Sequence, residues 1–90
     1  MRIHGIIHGR VQGVGFRFSA KQYAVKHNLC GWVKNKLDGT VEIEVEGKKS
    51  EMDSFLSELK RGFHPAIKVT DMILTPLDKE VGYQEFHIKH

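Results

Sequence analysis

The sequence predicts an α+β fold: a mainly antiparallel four-stranded sheet with two helices on one face, in the order βαββαβ. Three features of the chain predict it. One segment alternates apolar and polar residues at a period of two, two segments carry residues at helical spacing, and an Asp38-Gly39 turn joins two strands in the middle of the chain. A chain of 90 residues that is 40% hydrophobic and 28% charged is expected to form one domain over residues 1–90.

The first third of the chain predicts a strand, a loop, a helix and a second strand. Residues 2–8 are rich in β-branched side chains and predict a strand. Residues 9–15 contain three glycines and predict a loop with unusual backbone angles. Residues 18–28 carry side chains at i, i+3, i+4 and i+7, which predicts a helix, with Ser19 available near its start as a cap. Residues 29–36 predict the second strand.

A hairpin is predicted next. Residues 37–39 contain the Asp-Gly pair that favours a tight turn. In the return strand, residues 41–46, valine and isoleucine alternate with Glu42, Glu44 and Glu46. We expect the apolar face to be buried and the glutamate face to be solvated and acidic.

The rest of the chain predicts a helix and one or two strands. Residues 50–61 have an apolar stripe, and Ser50 and Asp53 have the spacing of a capping box. Residues 67–74 predict a further strand, and residues 83–88 predict a short fifth strand. A hairpin between two helices in this order is the split βαβ pattern of ferredoxin-like folds, in which the second face of the sheet is open.

Charge is distributed unevenly along the chain. Residues 1–36 hold seven Lys or Arg and no acid (+7), and residues 37–90 hold seven Lys or Arg and eleven acids (7 − 11 = −4). This asymmetry favours an anionic ligand at the N-terminal part and excludes a carboxylate-based active site or metal site there. Cys30 is the only cysteine, and no segment has the ~20 apolar residues of a membrane span or the features of a signal peptide. We therefore expect a cytoplasmic protein without an internal disulfide.

The glycine-rich segment GRVQGVGFR, residues 9–17, precedes the first helix. Such a loop directs several backbone N–H groups at one point, which also receives the positive end of the helix dipole. Arg17 follows Gly15 by two residues, and its planar guanidinium can bind two oxygens of a phosphate. The loop by itself indicates either an anion site or a tight turn followed by a surface arginine.

Two segments resemble the signatures of the acylphosphatase family. Residues 9–17 match G-x-V-Q-G-V-x-F-R at every fixed position, and residues 31–41 match G-x-V-x-N with the following D-G and valine. The family is a stand-alone domain of about this length with a ferredoxin-like fold, so the resemblance covers essentially the whole chain. It implies an enzyme that hydrolyses acyl phosphates, R–CO–OPO₃²⁻, to a carboxylate and inorganic phosphate, with no metal and no other cofactor.

The resemblance also implies roles for individual residues. Arg17 would be the phosphate-binding catalytic residue, and Asn35 would hold the attacking water. The phosphate cradle would be formed by the backbone amides of Arg10, Val11, Gln12, Gly13, Val14 and Gly15. The partners it implies are a small acyl phosphate as substrate and inorganic phosphate as product; we expect a monomer with no nucleic-acid or membrane partner. This mechanism requires the end of the second strand to lie beside the loop.

Two other functions fit the same topology. One is a regulatory domain that binds phosphate or another anion without turning it over, although pure binding does not call for a water-positioning amide. The other is an RNA-binding module, which stacks bases on aromatic residues of the central strands. The third strand here has no aromatic residue and three glutamates that would repel phosphates.

Other chemically capable residues are expected to be structural. His4 and His8 are four residues apart on a strand, about 13 Å, which is too far to share a metal ion. Trp32 is expected to be a packing aromatic, with contact to the acyl side of the substrate as the alternative. His87 and His90 are expected to be exposed polar residues.

Overall fold

The computed structural model describes residues 1–90 as five strands and two helices. In chain order these are β1 (Arg2–Arg10), α1 (Phe16–Lys26), β2 (Cys30–Asn35), β3 (Val41–Glu46), α2 (Lys49–Arg61), β4 (Lys68–Leu77) and β5 (Phe86–Lys89). The strands form one sheet in the order β4-β1-β3-β2-β5. The predicted ferredoxin-like α+β fold is confirmed. The fifth strand pairs with β2 in parallel, whereas all other pairs are antiparallel, so that the sheet is mixed.

Both helices pack on one face of the sheet around a single hydrophobic core. The residues that the helices bury there are Phe16, Ala20 and Ala24 from α1 and Met52, Phe55 and Leu59 from α2. Spacings of three and four residues place each set on one side of its helix. Burying a side chain the size of Phe55 stabilises the fold by about 1.5–3 kcal/mol. Neither helix has the length and apolar character needed to cross a membrane.

Both helices begin earlier than predicted, and neither uses the predicted cap. Gly15, with a left-handed backbone (φ 80°), precedes α1, and Ser19 donates its backbone N–H to the Gly15 carbonyl at 3.0 Å. Helix α2 begins at Lys49, so that Ser50 and Asp53 lie inside it, and neither helix has a side-chain cap. Residue spacing identifies candidate caps, but it locates the start of a helix only to within one or two residues.

The outer face of the sheet, opposite the helices, is not the solvated acidic face that the alternation predicts. Glu44 and Glu46 are each only 8% exposed. The connection between β4 and β5 folds back over them, and the Glu46 carboxylate accepts hydrogen bonds from the backbone N–H groups of residues 81–83 at 2.5, 2.9 and 3.0 Å. Glu44 accepts from Arg2 and, at 2.7 Å, from the Tyr83 hydroxyl. The expectation was wrong because alternation shows which residues share a face, not which distant segment covers it.

Trp32 belongs to the same outer face. Its indole N–H donates to the Tyr83 hydroxyl at 3.1 Å, and the Lys89 ammonium lies 4.4 Å from the ring centroid. The pKa of Tyr83 is raised, chiefly by burial and next by the hydrogen bond to the Glu44 carboxylate. Trp32 is therefore a packing residue in this structure.

The Glu42 carboxylate on the outer face predicts a pH-dependent stability. The His4 ring lies 2.7 Å from it (Nε2 to Oε2), and this hydrogen bond is the main reason why the pKa of Glu42 is lowered. Because the folded-state pKa is below that of the unfolded chain, the pair stabilises the fold above the unfolded pKa, and this contribution is lost as pH falls through the folded pKa. We expect Glu42→Gln to lower the free energy of unfolding by about 1 kcal/mol near neutral pH in urea unfolding, with the difference closing as pH falls through the folded-state pKa of Glu42.

Glu85→Gln is the matched control for this prediction. The Glu85 side chain is 74% exposed, so its replacement is expected to leave both the stability and its pH profile unchanged. Asp38, whose pKa is lowered mainly by hydrogen bonds from Thr40, is present in all three proteins and gives each of them some loss of stability in acid. A Glu42→Gln difference of equal size at both ends of the pH range would contradict an ionic origin.

Candidate active site

The connection from β1 to α1, residues 11–15, hereafter the β1–α1 loop, depends on two left-handed glycines. Gly13 and Gly15 have φ angles of 74° and 80°. A Cβ at either position would meet no atom within 4 Å, so the requirement for glycine is conformational rather than steric. A left-handed backbone costs other residues roughly 1–2 kcal/mol. The two glycines turn the chain back so that the loop forms a concave surface at the start of α1.

This concave surface presents unpaired backbone donors. The first hydrogen bond of α1 is the one from Ser19 to Gly15, which leaves the N–H groups of residues 16–18 without partners in the helix. Residues 12–15 likewise donate no backbone hydrogen bond to a protein group. Consecutive free N–H groups at the positive end of a helix dipole favour an anion.

Gln12 ties the loop to the turn that follows β2. Its side-chain amide donates to the carbonyls of Lys36 and Thr40, at 2.7 and 2.8 Å. Both carbonyls belong to the turn directly after Asn35, so these bonds bring the loop to the end of β2. The side chain of Gln12 thus has a structural partner within the protein.

An open pocket of about 300 Å³ lies between the loop, the start of α1 and the ends of β2 and β5. Its lining consists of Val11, Gly13, Gly15, Phe16, Arg17, Phe18, Asn35, Ile88 and His90. No aspartate or glutamate is among these residues. The end of the second strand therefore lies beside the loop, as the sequence-based mechanism requires.

Arg17 supplies the permanent positive charge of the pocket. One guanidinium nitrogen, Nη1, lies 3.2 Å from the His90 ring nitrogen Nδ1 and 3.4 Å from the Lys89 carbonyl, to which it donates. A guanidinium has five N–H donors, so both contacts leave donors for a ligand. Arg17 forms no ion pair with a carboxylate. The C-terminal segment therefore holds the guanidinium at the pocket without neutralising it.

Asn35 is the last residue of β2 and shares a strand face with Gly31 and Val33. Its amide oxygen is buried and has no hydrogen-bond partner within the protein. Leaving such an acceptor unpaired costs about 1–3 kcal/mol. Most buried polar atoms in proteins are paired with a protein group or an ordered water, and Asn35 is also one of the residues that line the pocket.

The residues of the predicted cradle are not all placed alike. Val11, Gly13 and Gly15 line the pocket, whereas Arg10, Gln12 and Val14 do not. Arg10 is the last residue of β1. The backbone N–H groups of Gln12 and Val14 are nevertheless free, like those of Gly13 and Gly15, whereas Arg10 lies in the paired part of β1, opposite Lys68.

Four lining residues are absent from the sequence-predicted site: Phe16, Phe18, Ile88 and His90. Phe18 directly follows Arg17, so its position at the pocket could have been predicted from the motif. Ile88 and His90 reach the pocket because β5 pairs with β2, where Ile88 lies opposite Val33. No local motif signals that pairing. His90 is exposed, as expected, and its ring also contacts Arg17 in the pocket lining, which was not expected.

Comparisons with known proteins agree with the fold and the motifs. A family model described as acylphosphatase matches residues 3–88. An acylphosphatase of Bacillus pumilus is 46% identical over 86 residues, which cover 96% of this chain and 94% of that protein. A crystal structure of acylphosphatase from Bacillus subtilis has a TM-score of 0.94 at 43% identity and covers 99% of this chain and 98% of its own. The structure of an acylphosphatase from Coxiella burnetii has a TM-score of 0.90 at 32% identity, with coverages of 98% and 90%. The chain therefore belongs to the acylphosphatase family of enzymes.

Proposed function

We propose that this protein hydrolyses acyl phosphates, with the phosphoryl group bound by the β1–α1 loop and Arg17 and the attacking water held by Asn35. One observation carries the proposal: the residues that hold the free backbone donors, the unneutralised guanidinium and the unpaired buried amide oxygen line the same pocket. The first two bind an anion. The third requires a hydrogen-bond donor, which a water molecule supplies.

The chemistry of the leaving group fits this set of residues. An acyl phosphate releases a carboxylate, a weak base that needs no general acid to protonate it. Phosphoryl transfer requires mainly positioning and stabilisation of charge on the equatorial oxygens, which N–H groups and Arg17 provide. No aspartate or glutamate side chain in the lining repels the dianionic substrate.

The role of Asn35 is to position a water molecule. Its amide oxygen accepts a hydrogen bond from the water, which directs a lone pair of the water oxygen at phosphorus. The new O–P bond forms as the bond between phosphorus and the acyl oxygen breaks, and the electron pair of that bond leaves with the carboxylate. Since an amide cannot take the proton, the proton passes to a phosphoryl oxygen of the substrate and leaves with inorganic phosphate.

The same amide oxygen weighs against a domain that only binds phosphate. An amide oxygen accepts hydrogen bonds and would repel the oxygens of a phosphate dianion. The amide nitrogen of Asn35 can serve an anion but its oxygen cannot, whereas a hydrolase uses that oxygen to hold the water.

Benzoyl phosphate hydrolysis, followed by ultraviolet absorbance with excess EDTA, tests the proposal. We expect rapid hydrolysis that EDTA leaves unchanged and that inorganic phosphate inhibits competitively, because the product occupies the same cradle. A protein that binds inorganic phosphate but leaves benzoyl phosphate intact would instead be an anion-binding domain.

A further inference from the structure

Helix α1 carries two exposed apolar side chains in line with the pocket. Phe18, in the pocket lining, is 62% exposed, and Val25, seven residues further along the helix, is 58% exposed. Both border a shallow groove of about 440 Å³ on the outer side of α1, together with Lys21, Gln22 and Lys26. Phe18 therefore borders both the pocket and the groove.

Phe18 and Val25 do not contribute to the core. The buried side of α1 consists of Phe16, Ala20 and Ala24. Phe18 and Val25 are seven residues apart, at positions i and i+7, so they lie together on another side of the helix. A helix that only covers a core carries polar residues on its outer side. The Phe18 ring at the pocket and the Val25 isopropyl group in the groove both gain from an apolar ligand that lies along this side of α1 and removes them from water.

The pocket itself has a polar part and an apolar part. The polar part consists of the loop glycines, Arg17 and Asn35, and the apolar part consists of Phe18 and the half-buried Ile88. With the phosphoryl group in the polar part, the acyl substituent leaves through the opening of the pocket. The exposed ring of Phe18 then leads it onto the groove.

We infer that the acyl group of the substrate binds along the track from Ile88 over Phe18 to Val25, and that acyl phosphates with a large apolar acyl group are preferred to acetyl phosphate. This inference rests on the proposed function. Phe18 and Val25 are seven residues apart, or about 10 Å along the helix axis, a span that an alkyl chain of roughly eight carbons covers. Lys21 and Lys26 border the groove, and their hydrocarbon stems can cover such a chain while their ammonium groups attract the phosphate dianion.

Kinetics with octanoyl phosphate and acetyl phosphate, measured by release of inorganic phosphate below the aggregation concentration of the substrate, test the inference. For the unaltered protein we expect kcat/KM to be at least about tenfold higher with octanoyl phosphate, because each buried methylene adds to binding. Val25→Thr keeps the shape and branching of the side chain but adds a hydroxyl to the groove. We expect it to raise KM for octanoyl phosphate about threefold to tenfold, with kcat and both constants for acetyl phosphate unchanged.

Phe18→Ser and Ile73→Thr complete the experiment. Phe18→Ser removes the apolar side chain shared by the pocket and the groove. We expect it to raise KM for octanoyl phosphate more than Val25→Thr does. Ile73, on the edge strand β4, is 54% exposed but lies outside the pocket and the groove. We therefore expect Ile73→Thr to leave kcat and KM for both substrates unchanged. Equal KM values for the two substrates in the unaltered protein, or a Val25→Thr effect of the same size on both, would overturn the inference. Failure of the proposed function looks different, since then neither substrate is hydrolysed.

Discussion

Replacing Arg17 by alanine is expected to reduce kcat/KM for benzoyl phosphate by about 10³-fold or more and to remove inhibition by inorganic phosphate. Arg17 is the only permanent cation among the side chains that line the pocket. Its guanidinium interacts with the phosphoryl oxygens both in the bound substrate and in the transition state, so KM rises and kcat falls together. Steady-state kinetics over a series of phosphate concentrations measure both effects.

Two further variants separate the fork-shaped guanidinium from charge alone. Arg17→Lys keeps the positive charge but cannot bind two oxygens in one plane, so we expect it to recover phosphate binding more than turnover. Arg61→Ala removes the same charge from the end of α2, where the side chain is 74% exposed, and is expected to be fully active. If Arg61→Ala lost as much activity as Arg17→Ala, the net charge of the protein, not the pocket, would be responsible.

The order of the elements could be predicted because its signals are local. Alternation in residues 41–46 and helical spacing in residues 50–61 each report burial within one element. Pairings between distant strands have no such signal. The parallel pairing of β5 with β2 joins residues 55 positions apart, Gly31 with Phe86, and it determines that Ile88 and His90 reach the pocket.

The candidate site was only partly predictable for the same reason. The two motifs identify Arg17 and Asn35 but do not show that the two residues lie close together in space. The Gln12 side-chain amide joins their two segments by donating hydrogen bonds to carbonyls of the turn after β2. The acidic side of β3 was misjudged because its partners come from a segment 35 to 37 positions away, which satisfies Glu46 with backbone N–H groups. A buried carboxylate is stable only when it is hydrogen-bonded in this way, and alternation contains no information about such bonds.

Asn35→Ala is expected to separate catalysis from both phosphate binding and stability. Without the amide oxygen, the water is no longer held in line with the phosphorus atom, and we expect kcat to fall by about 10²-fold or more. The cradle and Arg17 are untouched, so the inhibition constant of inorganic phosphate should stay within about twofold of that of the unaltered protein. The pair of measurements distinguishes a water-positioning group from a phosphate-binding group, since loss of the latter would weaken inhibition by phosphate.

The stability of the same variant tests the structural basis of that role. The Asn35 amide oxygen is buried without a partner in the protein, so its removal deletes no hydrogen bond within the fold. We therefore expect the free energy of unfolding of Asn35→Ala to equal or slightly exceed that of the unaltered protein, measured by urea unfolding. Asn35→Asp keeps the shape but adds a negative charge, and is expected to weaken phosphate binding as well as turnover. An inactive Asn35→Ala that was also destabilised by 2 kcal/mol or so would mean that Asn35 maintains the end of β2, and that its oxygen is paired within the fold instead of with water.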